Sequence, residues 1–257
     1  MNSACRIAEI LKVAKSQSPN LHVFKAWAST FNLLDPKDNW ALQMEVLELI
    51  TLLKSEWNLL RTQLYQIKGL PASLYEPVLM ITKEVLGSAG NLNSTWEPFQ
   101  KKITDDVLRQ LEWCGHSLKE NFQSEEPIPE NELKELLNEV QELGENLGNS
   151  SLPFSVKMRV FHYVDLIKKA IMGYPIIGAV AFKNVVATSI GEVILNPNEI
   201  FPPELEEEKQ IRERLKNLLK KSFSILERFP KWYSYLKIAE DLTSRAKILI
   251  ENIGSMK

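Results

Sequence analysis

The chain reads as an all-α protein, a multi-helix bundle of roughly eight to ten helices. Three observations predict this. Apolar residues recur at threes and fours along most of the 257 positions. The breaks between these runs carry Pro, Gly, Asn and Ser, and no stretch alternates with the period of two that a half-buried strand requires. With 44% hydrophobic and 25% charged residues, the chain has the composition of a globular protein with a real core.

In order, residues 4–15 place Ile7, Ile10, Leu11 and Ala14 on one side, and Ser18-Pro19-Asn20 ends this helix. Residues 21–33 repeat the pattern with Val23, Phe24, Trp27 and Phe31. A long helix over 39–67 carries Leu42, Val46, Leu49, Ile50, Leu53, Trp57, Leu60, Leu64 and Ile67 at helical spacing, with Glu45, Glu48, Lys54, Glu56 and Arg61 between them. Gly69 and Pro71 stop it. Residues 72–88 are helical, with Pro77 in the first turn, and GSAGNLNS (87–94) is a loop. One helix is expected over 96–122, with Ile103, Val107, Leu108, Leu111, Leu118 and Phe122 inward.

QSEEPIP (123–129) breaks the chain and opens an acidic helix over 130–144, followed by the linker GENLGNSS. Pro153 suits the first position of a helix to about residue 172, with Phe154, Met158, Phe161, Val164, Ile167 and Ile171 on its buried side. Gly173-Tyr174-Pro175 closes it. The central buried helix is expected over 175–194. It is apolar almost all round, with Asn184, Thr188 and Glu192 as its polar stripe and Lys183 buried along its stem. After a proline-containing loop, a helix over 203–229 starts with a glutamate cluster at its positive end and turns Ile211, Leu215, Leu218, Leu219, Ser222, Ile225, Leu226 and Phe229 inward. A last helix over 231–253 carries Trp232, Leu236, Ala239, Leu242, Ala246 and Leu249. The expected organisation is a helical region over 1–122, an acidic helix and linker over 123–152, and a helical bundle over 153–257, either as separate domains or packed as one unit.

Charge is unevenly spread. Residues 1–121 carry thirteen basic and thirteen acidic side chains, 122–150 carry one and eight, and 151–257 carry seventeen and twelve, so the nets are 0, −7 and +5. The overall −2 speaks against a general nucleic-acid or membrane-surface binder. Two cysteines, Cys5 and Cys114, make neither a disulfide framework nor a metal site, which points to a reducing cytoplasm. The longest uncharged run, thirteen residues from Ala170 to Phe182, falls short of the roughly twenty that span a bilayer, so no transmembrane segment is expected.

No GxGxxG, Walker A, HExxH, CxxC or GxSxG motif occurs, and no cofactor is expected. His22 and His162 have no partners at metal-ligand spacing beyond Asp165, and read as hydrogen-bonded, partly buried imidazoles. Cys114 reads as a small buried hydrophobe, and most of the six tryptophans as packing. The basic stripe Lys209, Arg212, Lys216 and Lys220 shares one helical face, suited to an acidic protein surface or, as the less favoured alternative, a nucleic-acid phosphate backbone. The acidic helix is the intramolecular candidate to cover it.

RQLEWCGH (109–116) puts Arg109 and His116 seven residues apart on one helical face. It resembles the Arg-x4-6-His motif of HEPN-type ribonucleases, with Gln110 following the arginine and Gly115 inside the motif. The resemblance implies that His116 serves as the acid–base group and Arg109 as the phosphate stabiliser. HVFKAWASTF (22–31) and the stretch 152–195 are similar to a loose group of uncharacterised all-helical bacterial proteins with a later helix–Gly-Tyr–helix core. That resemblance implies bacterial origin and a cytoplasmic setting, and brings no activity or site residue. The leading expectation is a non-catalytic interaction or regulatory component with a protein partner, beside toxin or phage-defence genes. The alternatives are the ribonuclease and a membrane-active helical toxin.

Overall fold

The computed structural model describes residues 1–33, 38–122, 124–195 and 206–227. The protein is all-α, and among the described residues the sole extended pairing is an isolated bridge between His22 and Thr95. It divides into two units. One comprises Met1–Ser124 with Pro175–Gly178, and the other Glu125–Tyr174 with the described residues from Ala179 onward. The acidic helix belongs to the second unit.

The first unit contains α1 (Ser3–Lys15), α2 (Val23–Thr30), α3 (Asn39–Gln66), α4 (Glu76–Leu86), the single turn α5 (Glu97–Gln100) and α6 (Asp105–Asn121). Helix α1 packs against α2, α3 and α6. It can do so because its buried residues include Ser3, Ala4, Ala8 and Ala14, which let neighbours close in, beside Ile7, Ile10 and Leu11. Asn2 caps it by accepting the Cys5 N–H at 3.1 Å, and its amide also donates to the Gly115 carbonyl of α6 at 2.8 Å. At that crossing a Cβ on Gly115 would lie 2.7 Å from Cys5 Sγ, so the absence of a side chain there sets the close approach of α1 to α6.

Burying α1 also buries a charge. Arg6 (7% exposed) donates from Nε at 3.0 Å and from Nη2 at 2.5 Å to one oxygen of Glu56 (3% exposed) on α3. The tryptophans of the core are satisfied in the same way: the indole N–H groups of Trp27, Trp57 and Trp96 donate to Ser88 Oγ, Leu79 O and Ala14 O at 3.0 to 3.1 Å. Lys15 on α1 reaches Asp105 at 2.6 Å and holds that carboxyl below its ordinary range. Its contribution is present above the unfolded-state pKa and fades as the pH falls toward the lowered folded value.

Two elements of this unit depart from the sequence expectation. The helix expected over 96–122 is interrupted, because Thr104 adopts extended backbone and its hydroxyl accepts the Val107 N–H to start α6 afresh, with Asp105 and Asp106 in the first turn. The loop over 87–94 is partly a 3₁₀ turn, Gly87–Asn91. Leu92 and Ser94 carbonyls beyond it accept the Phe24 and Val23 N–H groups at the start of α2. Trp40 and Trp113 are exposed rather than packed.

The second unit contains α7 (Glu130–Asn149), α8 (Phe154–Ile177) as far as Tyr174, α9 (Lys183–Leu195) and α10 (Glu206–Glu227). Its core joins Leu136, Val140, Leu143 and Leu147 of α7, Val160, Tyr163, Ile167 and Ile171 of α8, Phe182 and Val185, and Ile211, Leu215, Leu218 and Ile225 of α10. Gly144 does not end α7. It lies against α8, where a Cβ would sit 3.7 Å from Val164 Cγ1.

The expected central helix over 175–194 is corrected in two respects. Helix α8 continues through Pro175, and the break comes at Gly178, whose φ of +68° is the left-handed conformation that favours glycine. A 3₁₀ turn, Gly178–Phe182, then leads into α9. Two hydrogen bonds hold this break from the segment before α7. The buried Glu125 carboxylate accepts the Ala179 N–H at 2.7 Å, and Tyr174 Oη accepts the Ile128 N–H at 2.7 Å. Lys183 is exposed with Asn184 and Ala187, while Val185, Val186 and Ser189 are buried. The helix is therefore two-sided, with Lys183 on its solvent side and not in its core. The side chain of Glu192, the loop over 196–203 and the last helix over 231–253 lie outside the described residues.

Helix α8 carries a second correction. Phe154, Met158 and Phe161, expected inward, are 77%, 52% and 36% exposed. Apolar residues cover more than half the circumference of this helix, so periodicity alone does not select the face that packs.

Two substitutions test this packing. Glu56→Gln removes the carboxylate charge that faces the buried Arg6 and is expected to cost about 1.5–3 kcal/mol in urea unfolding, whereas the double variant Arg6→Met/Glu56→Met recovers part of that loss. Thr82 is fully buried on α4 and its hydroxyl has no hydrogen-bond partner among the described residues. Thr82→Val keeps the shape and is expected to raise stability by about 1 kcal/mol.

Candidate functional site

Arg109 and His116 both lie on the exposed side of α6. Seven residues of helix separate them by about 10.5 Å along the axis, with the 39%-exposed Trp113 between them. Arg109 is held by the Asp106 carboxylate one turn earlier, which raises its already high pKa. His116 makes no hydrogen bond to the described residues. General acid–base catalysis needs its groups held around one reacting atom. Here an ion-paired arginine and an unanchored imidazole stand on an open helix surface, and neither lines a described cleft.

The basic stripe is divided by its surroundings. Lys209 and Lys220 are exposed, and the side chain of Arg212 lies outside the described residues. Lys216 is 14% exposed and 3.6 Å from Glu213. The acidic helix does reach this region: α7 packs on α10, and Glu139 pairs with Lys221 beside the stripe. Between the two helices is a cleft of about 500 Å³ whose charged lining is Glu139, Glu142, Arg214, Lys220 and Lys221. Such alternation of sign suits a polar protein surface better than a phosphate track, which needs successive unpaired cations.

The remaining candidates resolve into structure. His22 and His162 are exposed, not partly buried as expected. His22 Nδ1 is 2.8 Å from the Asn93 carbonyl, and Asp165 is 3.4 Å from Lys169. Among the described residues no group of three or more His, Cys, Asp or Glu side chains could hold a metal ion. Cys5 and Cys114 are free thiols, and burial pushes Cys114 up to about 11.

The sequence reading missed the Arg6–Glu56 pair and a cleft between α3 and α4. Arg6 falls among Ile7, Ile10 and Leu11 on a short helix, where a charge suggests the solvent side. The cleft had a readable signal: its lysines, Lys54 and Lys83, have no carboxylate three or four residues away on their own helices. No protein-family model, curated protein or solved structure matches the chain.

A thiol at about 11 is almost entirely protonated near neutrality, and protonated thiols do not react. Maleimide labelling of the native protein at pH 8, read by peptide mass spectrometry, is therefore expected to leave Cys114 unmodified until the protein is unfolded in urea.

Proposed function

We propose that this protein is a non-catalytic helical interaction component that works by docking a protein partner on α8, in a cytoplasmic setting suited to its two free thiols. The observation that carries the reading is the ridge of Phe154, Met158 and Phe161, spaced at i, i+4 and i+7 and exposed on a helix whose other side enters the core. Exposed apolar side chains aligned on one helix are a recognition surface for a groove or a second helix. The mixed-sign cleft between α7 and α10 offers the polar contacts that fix register in such complexes.

A membrane is the competing occupant. The stretch Phe154–Ser189 is long and apolar enough by length and composition to cross one, with a mean hydropathy of 1.5 in its most apolar window. The protein partner is favoured because half of that window is buried inside the protein. Lys157, Arg159, Asp165, Lys168, Lys169 and Lys183 also lie within the stretch, and a charge near a bilayer centre costs about 2.5–3.5 kcal/mol.

A photocrosslinker at position 158 is expected to capture one defined protein from extract of the source cell, and Phe154→Ser/Phe161→Ser is expected to abolish the capture while leaving the far-UV spectrum and melting temperature unchanged. Capture that survives the double substitution, or its absence together with co-sedimentation on liposomes, would overturn the reading in favour of another surface or of a membrane.

A further inference from the structure

The packing of α4 on α3 leaves a cleft of about 320 Å³ in the first unit, lined by Lys54, Trp57 and Asn58 from α3 and by Lys83, Leu86 and Gly87 at the end of α4. Its floor is apolar. Trp57 and Leu86 are buried, and the Trp57 indole N–H is already committed to the Leu79 carbonyl at 3.1 Å, so the indole offers the cleft its ring and not its donor. Its rim is cationic. Lys54 and Lys83 stand exposed on the two facing helices, and neither makes an ion pair with the described residues. On α3 the positions three and four away from Lys54 are Ile50, Thr51, Trp57 and Asn58. On α4 those around Lys83 are Leu79, Met80, Leu86 and Gly87.

The neighbouring carboxylates have other partners. Glu84 takes Lys102 at 2.5 Å, Glu56 takes Arg6, and Glu76 accepts from Tyr65 Oη at 3.2 Å. Arg61 adds positive charge on the same helix, its guanidinium carbon 5.9 Å from the Trp57 ring centre. Gly87 keeps the mouth open: its backbone is right-handed helical, and a Cβ there would meet nothing within 4 Å.

We propose that this cleft binds a small amphiphilic anion, a phosphate ester or carboxylate with a flat apolar body. The body lies on Trp57 and Leu86, and the anionic head bridges Lys54 and Lys83 with the Asn58 amide as a further donor. Two uncompensated ammonium groups over a low-dielectric floor attract one anion more strongly than either does alone. The volume matches the lower end of small-molecule sites, which combine an apolar lining with a few convergent polar groups. The site lies in the first unit and is independent of the α8 ridge, so either proposal can fail alone.

Calorimetric titration of the full chain with phenyl phosphate, benzoate and inorganic phosphate tests it, with the Trp57 indole N–H resonance reporting location. Phenyl phosphate or benzoate is expected to bind and shift that resonance, and whichever is tighter identifies the head group. Inorganic phosphate is expected to bind at least about tenfold more weakly than the tighter of the two. Lys54→Ala/Lys83→Ala is expected to weaken binding at least about tenfold. Gly87→Leu fills the mouth without backbone strain and is expected to abolish binding with the melting temperature retained. Absence of binding by both aromatic anions, equal binding of inorganic phosphate, or binding unchanged in either variant would overturn the proposal.

Discussion

The first unit depends on a buried charge pair. Helix α1 is buried where it meets α2, α3 and α6, and Arg6 goes inside with it. A buried guanidinium is tolerable only where a carboxylate meets it, and Glu56, in the middle of the 28-residue α3, meets it with two hydrogen bonds. Relative to an apolar pair of the same volume, this arrangement adds little stability. Its effect is specificity, because sliding or turning α1 by one residue would pull the two charges apart. Asn2 on Gly115 and Ser3 on Gln63 act in the same direction, fixing α1 against α6 and α3.

The end of α8 is shaped by a break in the helix. Proline is usually a poor guest in a helix interior, yet α8 passes Pro175 and stops at Gly178, the position whose backbone is left-handed. The chain just before α7 returns to this point and supplies a buried carboxylate to the Ala179 N–H, a donor the broken helix cannot satisfy for itself. A polar, proline-containing segment that reads as a spacer is thus part of the fold. The acidic helix that follows it is bound to the basic α10 by Glu139 and Lys221 and by the apolar seam beneath them.

The surfaces follow from these constraints. Once α8 turns Val160, Tyr163 and Ile167 inward, its excess of apolar side chains leaves Phe154, Met158 and Phe161 outside. Once α4 lies on α3, two lysines that are unremarkable on separate helices line one cleft together with an indole. Neither surface includes Arg109 or His116, which share an exposed face of α6.

By itself the sequence determined the all-α class, the positions of most helices, and the inward faces of α3, α6 and α10. These follow from periodicity, capping residues and proline, all local to a few turns of chain. The tertiary structure decided which side of α8 and α9 is buried, because a helix apolar over most of its surface encodes no single face. It also decided that Lys183 is solvent-exposed while Arg6 is buried. Whether a charged side chain is covered depends on which helices arrive beside it, and each of those partners lies tens of residues away in the chain.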